Sequence, residues 1–229
     1  MKRTLFFSLL LCLSISVSAQ RETRNLDAFN KIRLEGAGKI YLIQGDTHEV
    51  VVDLDDRDYE LADIKTEVNG NTLVIDYKSK GWLDNAPDVD LWITYSRLEE
   101  IVTDGASSIE TENILRGDRL RLECNGAQKA TMDIEVDELV ASISGAGSFN
   151  LSGTANYAKI SVDGAGKIDG EDLRCRDVVA SVDGVGSITI YASESIDGNV
   201  SGVGKIRFAG NPKTQKLNSD GIGSVKPMN

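Results

Sequence analysis

The sequence predicts an all-β fold, a parallel β-helix (β-solenoid) of stacked coils of about 19–20 residues. A five-residue motif recurs eight times: a glycine, a small apolar residue, usually a second glycine, a lysine or serine, and an apolar residue. From Gly105 onward the first glycines are 18 to 21 residues apart, and such a fixed period marks a repeat architecture. The first glycines of the motif are Gly36, Gly105, Gly126, Gly145, Gly164, Gly184, Gly202 and Gly221.

Apolar and polar residues alternate on both sides of each motif. The positions two and four residues before the first glycine are mainly apolar, as at Val162 and Ile160. The positions four and six residues after it are also mainly apolar, as at Ile188 and Ile190. A period of two on both sides predicts two short, half-buried strands that meet at a corner formed by the glycines. No long stretch has helical apolar spacing, so a helical fold is excluded.

Residues 1–19 are typical of a signal peptide. A basic start is followed by an apolar run from Leu5 to Val17 and by the small residues Ser18 and Ala19. That run is too short to span a bilayer, and no later stretch is long enough. A lipoprotein signal has a small residue directly before its cysteine, whereas Leu11 precedes Cys12. The sequence therefore favours a soluble exported protein over a lipoprotein, located in the periplasm, at the cell surface or in the medium.

Residues 20–229 are expected to form a single β-helical domain, with irregular N-terminal coils at 25–100 and regular repeats at 101–229. Alternating apolar residues predict N-terminal strands at 40–43, 49–54 and 72–77, the last after a turn at 69–71. Residues 78–90 read as a loop, and 91–95 as a strand that leads into the repeats. Irregular first coils are typical of solenoids because they cover an open edge.

The corner glycines are predicted to be structural. A tight corner needs either a positive φ or a close approach of two backbones, and glycine allows both. The residue between the two glycines is Ala or a larger aliphatic such as Val185, and we expect it to point inward. Gly184→Val is therefore expected to destabilise the fold.

Lysine and serine alternate without exception three residues after the first glycine. Stacked neighbours would lie about 5 Å apart, where two ammonium groups repel each other. One interpretation is that the alternation avoids a ladder of like charges. The other is a binding stripe for sulfated or carboxylated glycans. The stripe would comprise Lys129, Lys167 and Lys205.

Acidic residues are frequent directly before the first glycine. Asp163 and Asp183 would lie on neighbouring coils, and two carboxylates so placed could share a Ca²⁺ ion. Alternatively they bond to corner amides, as aspartates do in turns, or pair with the lysines. No cofactor is otherwise predicted. The glycine motifs are followed by strands rather than helices, so they do not indicate a nucleotide-binding loop.

Other candidate chemistry is sparse. His48 is the only histidine, and no nucleophile signature or zinc-type cluster accompanies it. Trp82, Trp92 and Tyr95 could stack on sugars, although aromatic residues near a solenoid cap usually belong to the core. An oxidising compartment permits a disulfide, but Cys124 and Cys175 fall at different points of their coils, so we expect no pairing.

The charge of the chain restricts its partners. Removing the leader takes away two of the 25 basic residues and leaves 23 against 36 acidic ones, a net charge of −13. This argues against nucleic acid and anionic lipid as partners.

The motifs together resemble the head GIN domain family of putative auto-transporter adhesins, a domain of unknown function. The resemblance rests on the opening around Phe29 and Ile32, on Gly45-Asp46, on the segment 68–75, and on the repeated glycine units. It covers about residues 28–225. It implies a β-helical fold in cell-envelope proteins of Gram-negative bacteria, and it supplies no catalytic residues.

We therefore expect a non-catalytic, exported binding or structural protein, similar to an adhesin head. Glycans and proteins of the envelope or of a host surface are the candidate partners, and open solenoid ends favour a homo-oligomer. One alternative is a carbohydrate-active β-helix enzyme such as a polysaccharide lyase. The regular coils leave no room for the long loops that usually build its groove. Another alternative is a periplasmic structural or sensing protein.

Overall fold

The computed structural model describes residues 20–56, 58–78 and 87–228. The predicted signal peptide, Trp82 and most of the predicted loop at 78–90 lie outside these residues. The described chain is built of strands, with a single-turn 3-10 helix at Leu61–Asp63. The strands are β1 (Gln20–Asn25), β2 (Lys31–Glu35), β3 (Ala37–Gln44), β4 (Glu49–Leu54), β5 (Ile64–Asn69), β6 (Thr72–Tyr77), β7 (Val89–Tyr95), β8 (Glu100–Thr103), β9 (Ala106–Thr111), β10 (Leu115–Cys124), β11 (Ala127–Ile143), β12 (Ala146–Val162), β13 (Ala165–Val182), β14 (Val185–Val200), β15 (Val203–Ala209), β16 (Thr214–Ser219) and β17 (Ile222–Pro227).

The strands wind into a parallel β-solenoid of about seven turns, as the repeat predicts. The residues after each corner glycine form a first sheet from β3 and β9, the first halves of β11 to β14, and then β15 and β17. The residues before each glycine form a second sheet from β2, β8 and β10, the second halves of β11 to β14, and then β16. The four longest strands bend and serve both sheets.

The predicted apolar positions fill the space between the sheets. In the central coils Val162, Ile160, Ile188 and Ile190 are at most 1% exposed. Within each stacked column, the equivalent residues of neighbouring coils lie about 4.8 Å apart, and most of them are aliphatic. Burying one such side chain contributes roughly 1.5–3 kcal/mol, so the continuous column offsets the entropy of ordering each coil.

The corner glycines are explained by close backbone packing. Within the described chain, positive φ angles occur at Gly38, Gly70, Gly153 and Gly210, and none of these is the first glycine of a motif. A Cβ atom on Gly184 would instead collide with the carbonyl oxygen of Gly164 on the preceding coil. Equivalent collisions with the preceding corner glycine would occur at Gly105, Gly126, Gly145, Gly164, Gly202 and Gly221.

The prediction that the residue between the glycines points inward is wrong. Val185, Val203 and Ile222 are 63%, 49% and 79% exposed. The alternation runs through the corner without a break, so the third motif position faces the core instead. A Cβ on Gly147, for example, would touch the side chains of Ile143 and Cys124.

The N-terminal strands cap the solenoid out of chain order. The predicted segments at 40–43, 49–54, 72–77 and 91–95 all lie in strands. In the first sheet β7 lies parallel to β3, and β4 and β1 then follow antiparallel. In the second sheet β6 lies parallel to β2, and β5 follows antiparallel after a turn at Gly70, whose φ is 66°. Gly36 and Gly105 are 69 positions apart in the sequence, yet they sit on adjacent coils, because the described strands β4 to β7 between them build the cap.

Arg24 stabilises this cap through hydrogen bonds. Its guanidinium group donates to the carbonyl oxygens of Leu61 and Ile64, at 2.7 and 2.6 Å, and to the hydroxyl of Thr66 at 3.1 Å. Its side chain is 18% exposed and also pairs with Glu22. Arg24 thus joins β1 of the first sheet to β5 of the second across the end of the solenoid.

Candidate functional site

The lysine and serine residues form one outward ladder on the first sheet. Lys129 lies opposite Ser108 on one side and Ser148 on the other. Lys167 lies between Ser148 and Ser187, and Lys205 lies between Ser187 and Ser224. The lysines are therefore two coils apart, about 9.6 Å from each other at the usual strand spacing. At that distance mutual repulsion is screened at moderate salt.

The lysines of the ladder differ in their partners. The Lys39 ammonium lies 3.2 Å from the Asp90 carboxylate, and this hydrogen bond raises the pKa of Lys39 above its ordinary value. Lys167 lies 2.7 Å from Asp169. Lys129 and Lys205 are exposed and form no ion pair with a described residue. The ladder thus offers two free ammonium groups in addition to its hydroxyls.

Two further cations extend the ladder, and the sequence analysis missed them. Arg207 and Lys226 stand two residues beyond Lys205 and Ser224 on the same outward face, directly opposite each other in the strand register. Both are exposed, and neither pairs with an acidic group of the described chain. The signal was present in the outward column five residues after the glycine, which is polar but mixed in charge. The last two members of this column are basic, but only the strand register shows that they lie beside Lys205 on the same face.

The predicted acidic pair is also brought together. Asp163 and Asp183 follow the paired residues Val162 and Val182 on neighbouring coils, and the Ser201 hydroxyl donates to the Asp183 carboxylate. Desolvation, and then the negative charge of Asp183, raise the pKa of Asp163 above its ordinary value. No cluster of three or more His, Cys, Asp or Glu arranged to hold a metal occurs among the described residues.

The described aromatic candidates are held by neighbouring side chains. Tyr95 is fully buried and belongs to the core. Trp92 stacks on Tyr41 with 4.9 Å between ring centroids, and the Arg21 guanidinium lies 5.0 Å from the Trp92 ring. His48 packs edge-on against Phe29 at 5.0 Å.

His48 and the cysteines have structural surroundings. The Phe29 amide donates to His48 Nδ1 at 3.4 Å, and His48 Nε2 lies 3.0 Å from the Ser96 hydroxyl. Cys124 and Cys175 are free and buried. Burial raises the pKa of the Cys175 thiol to about 12, so this thiol is held in its unreactive protonated form.

Among the described residues, no helix has the length and hydropathy that a bilayer-spanning segment requires. Comparison with known proteins relates the whole architecture to a family. The family described as "Putative auto-transporter adhesin, head GIN domain" matches residues 28–212. No functionally curated protein matches the chain.

Three solved structures share the architecture. A putative adhesin from Bacteroides fragilis is 31% identical, with a TM-score of 0.84 over 93% of this chain and 99% of its own. A putative lipid binding protein from Parabacteroides distasonis is 22% identical, with a TM-score of 0.69 over 93% of this chain and 98% of its own. A putative adhesin from Parabacteroides merdae is 20% identical, with the same TM-score and coverage. The latter two show the fold alone. The family match and the Bacteroides structure together show that this chain belongs to the head GIN domain family of putative auto-transporter adhesins.

Proposed function

We propose that this protein is a non-catalytic, exported binding protein of the cell envelope that contacts acidic glycans through the lysine–serine ladder. The observation that carries the proposal is the set of unpaired cations on one flat face of an acidic protein. Family membership among putative adhesins and the leader-like N-terminus support a role at an envelope surface.

The charge of the ladder is the first argument. The whole chain has a net charge of −11, and most of its described basic side chains lie beside an acidic one. Lys129, Lys205, Arg207 and Lys226 do not. Arg207 and Lys226 also stand directly opposite each other, an arrangement that destabilises a sheet. A bound anion would relieve this repulsion, so the basic end of the face favours an anionic partner.

The spacing of the ladder is the second argument. A parallel solenoid repeats its surface groups along one straight line, and the ammonium groups recur every second coil. A linear polysaccharide with an acid group on every second sugar presents a comparable repeat. The serines between the lysines offer hydroxyl groups to the sugars in between. Many weak contacts of this kind act together through multivalency rather than through a deep pocket.

The test compares polymer binding before and after the free cations are removed. The full chain is passed over an immobilised linear polyuronate, a sulfated glycan and a neutral polymer of similar length. The quadruple variant Lys129→Ser, Lys205→Ser, Arg207→Ser and Lys226→Ser should lose at least about tenfold in affinity. The matched control replaces four paired cations with serine and should retain binding. Its positions are Lys31, Arg119, Lys213 and Lys216.

Binding should also weaken with rising salt, because the contacts are exposed. An equal loss of affinity in the control variant would show that only the net charge of the protein matters, and it would refute the binding role of the ladder. Shortening of any polymer during the incubation would overturn the non-catalytic assignment.

A further inference from the structure

A groove runs along a different part of the solenoid, where each coil bends between the first sheet and the second. Its cavity volume is about 630 Å³, and it crosses the coils of β11, β12, β13 and β14. The floor includes Val136, Ala155 and Cys175, which are at most 6% exposed. Outward side chains from the residues before and after each floor residue form two walls. The Lys129, Lys167 and Lys205 ladder does not line this groove.

The first wall changes its chemistry from coil to coil. In strand register Glu135 lies opposite Thr154, Thr154 opposite Arg174, and Arg174 opposite Tyr191. The wall therefore presents a carboxylate, a hydroxyl, a guanidinium group and an aromatic ring in succession.

The second wall consists of the residues two positions after those of the first wall, one from each of the same four coils. It presents Asp137, Asn156, Arg176 and Ser193. Each coil thus places two similar groups on opposite sides of the floor: two carboxylates, then two neutral hydrogen-bonding groups, then two guanidinium groups. The groove is acidic at one end and basic towards the other. Its four coils span about 14 Å from the first to the last at the usual strand spacing.

The partners of these groups show which are free to bind a ligand. The Arg116 guanidinium lies 2.8 Å from Glu135, and the Asn156 amide donates to Asp137 at 2.7 Å. The Nε atom of Arg176 lies 3.3 Å from the adjacent Asp177 carboxylate, which leaves its two terminal nitrogens for a ligand.

Arg174 has no acidic partner among the described residues, and its guanidinium group lies 4.4 Å from the centroid of the Tyr191 ring. A guanidinium group held against an aromatic face loses less freedom on binding an anion than one on an unrestrained side chain. Arg174 is therefore the best placed anion-binding group of the groove.

A change of register shapes this part of the groove. Gly170 pairs with Ile190 and Arg174 pairs with Tyr191, so three residues of β13 have no counterpart in β14. The extra residues displace the β13 coil relative to its neighbour, immediately before Arg174. Further shifts occur between β12 and β13, after Asn150, and between β13 and β14, after Cys175. The pairs around the corner glycines stay in regular register, so the irregularity lies where the coils bend from the first sheet to the second.

We propose that this groove binds a short acidic oligosaccharide. Arg174 and Arg176 hold its carboxylate or sulfate, since paired guanidinium groups suit such planar or multi-oxygen anions. Thr154, Asn156 and Ser193 bond to sugar hydroxyls. A concave site with a few convergent polar groups is the usual form of a small-ligand site. The groove differs from the ladder because it takes a short ligand at one fixed position. Ligand binding in the groove does not depend on polymer binding by the ladder.

The experiment titrates the full chain with trigalacturonate, a sulfated trisaccharide and a neutral galactose trisaccharide, using calorimetry. The wild-type protein should bind at least one acidic trimer and not the neutral one. The acidic trimer that binds identifies a carboxylate or a sulfate as the preferred group. Arg174→Ala with Arg176→Ala should weaken binding at least about tenfold. Arg174→Lys alone should also weaken it, because lysine keeps the charge but loses the bidentate fork.

Two controls isolate the groove. Arg119→Ala removes an exposed arginine outside the groove, and Arg33→Ala with Arg97→Ala removes two further exposed arginines that neither line the groove nor belong to the ladder. Both should bind the trimer like the wild type, and all variants should keep the wild-type thermal transition, because the altered groups are exposed. Failure of the wild type to bind either acidic trimer at millimolar concentration would overturn the proposal. So would equal binding by the Arg174→Ala, Arg176→Ala variant. Neither result depends on polymer binding by the ladder.

Discussion

The corner glycines show how single residues determine the spacing of the stack. Gly184 lies against the carbonyl oxygen of Gly164, which occupies the space that a Cβ would need. The same contact repeats from coil to coil, so a side chain at one corner would push two coils apart. The next residue, Val185, points to solvent and is 63% exposed. Two adjacent positions of the motif therefore have opposite tolerance to substitution.

Gly184→Val should destabilise the protein by about 3 kcal/mol or more, because the new side chain meets backbone atoms that cannot move independently. Urea unfolding followed by circular dichroism measures the change. The matched control is Val185→Ala, which removes an exposed side chain and should change stability by less than about 0.5 kcal/mol. Equal stability of Gly184→Val and the wild type would contradict the close packing of the corners.

The pair Asp163 and Asp183 is expected to make the stability of the protein depend on pH. Desolvation and the charge of Asp183 raise the pKa of Asp163, so the folded state holds this proton more tightly than the unfolded chain does. The resulting stabilisation is fully present below the unfolded pKa, near 3.9, and is lost as pH rises through the folded pKa.

Asp163→Asn removes this titration, so its melting temperature relative to the wild type should rise slightly as the pH increases above about 4. Thermal scans at several pH values between about 4 and 7 give the difference. Asp220→Asn is the control, since Asp220 holds the same position in the last described coil without Asp183 beside it. A difference that stays constant with pH would show that the pKa of Asp163 is not raised in the folded protein.

At the scale of the strands, the features that depend on the local alternation of apolar and polar residues can be predicted from the sequence. The two sheets, their inward columns and the ladder all follow from a repeat in which each position stacks on its own equivalent. The N-terminal cap could not be predicted in this way. The antiparallel pairing of β1 with β4, and the bonds of Arg24 to residues 37 to 42 positions away, depend on contacts distant in the sequence.

The same distinction between local pattern and distant contacts applies to the two candidate sites. The lysines were predictable because their column has a strict period of two coils. The groove lies where the coils bend from the first sheet to the second, and an alignment on the glycines does not show where along a coil the extra residues of β13 are placed. The prediction that Val185 points inward is wrong because the alternation of inward and outward positions continues across the two corner residues between β13 and β14.

The whole molecule is asymmetric from end to end. At the N-terminal end, antiparallel strands and Arg24 cover the core. In the last described coil, β16 pairs only with β14, and β17 pairs only with β15. Leu217 occupies a position that is buried in the central coils, yet it is 37% exposed. In a linear stack each coil is stabilised mainly by its neighbours, so a coil with one neighbour should open more readily than a central one.

Amide hydrogen exchange should therefore reveal a gradient along the solenoid. The amides of β16 and β17 should exchange first, and those of the second halves of β11 to β13 last. Mutations provide an independent measure: Leu217→Ala should cost less than about 1 kcal/mol, whereas Ile160→Ala at the equivalent central position should cost about 2–5 kcal/mol. Uniform protection from β8 to β17, with equal costs for the two substitutions, would mean that the stack unfolds as one unit and that its last coil is as stable as its centre.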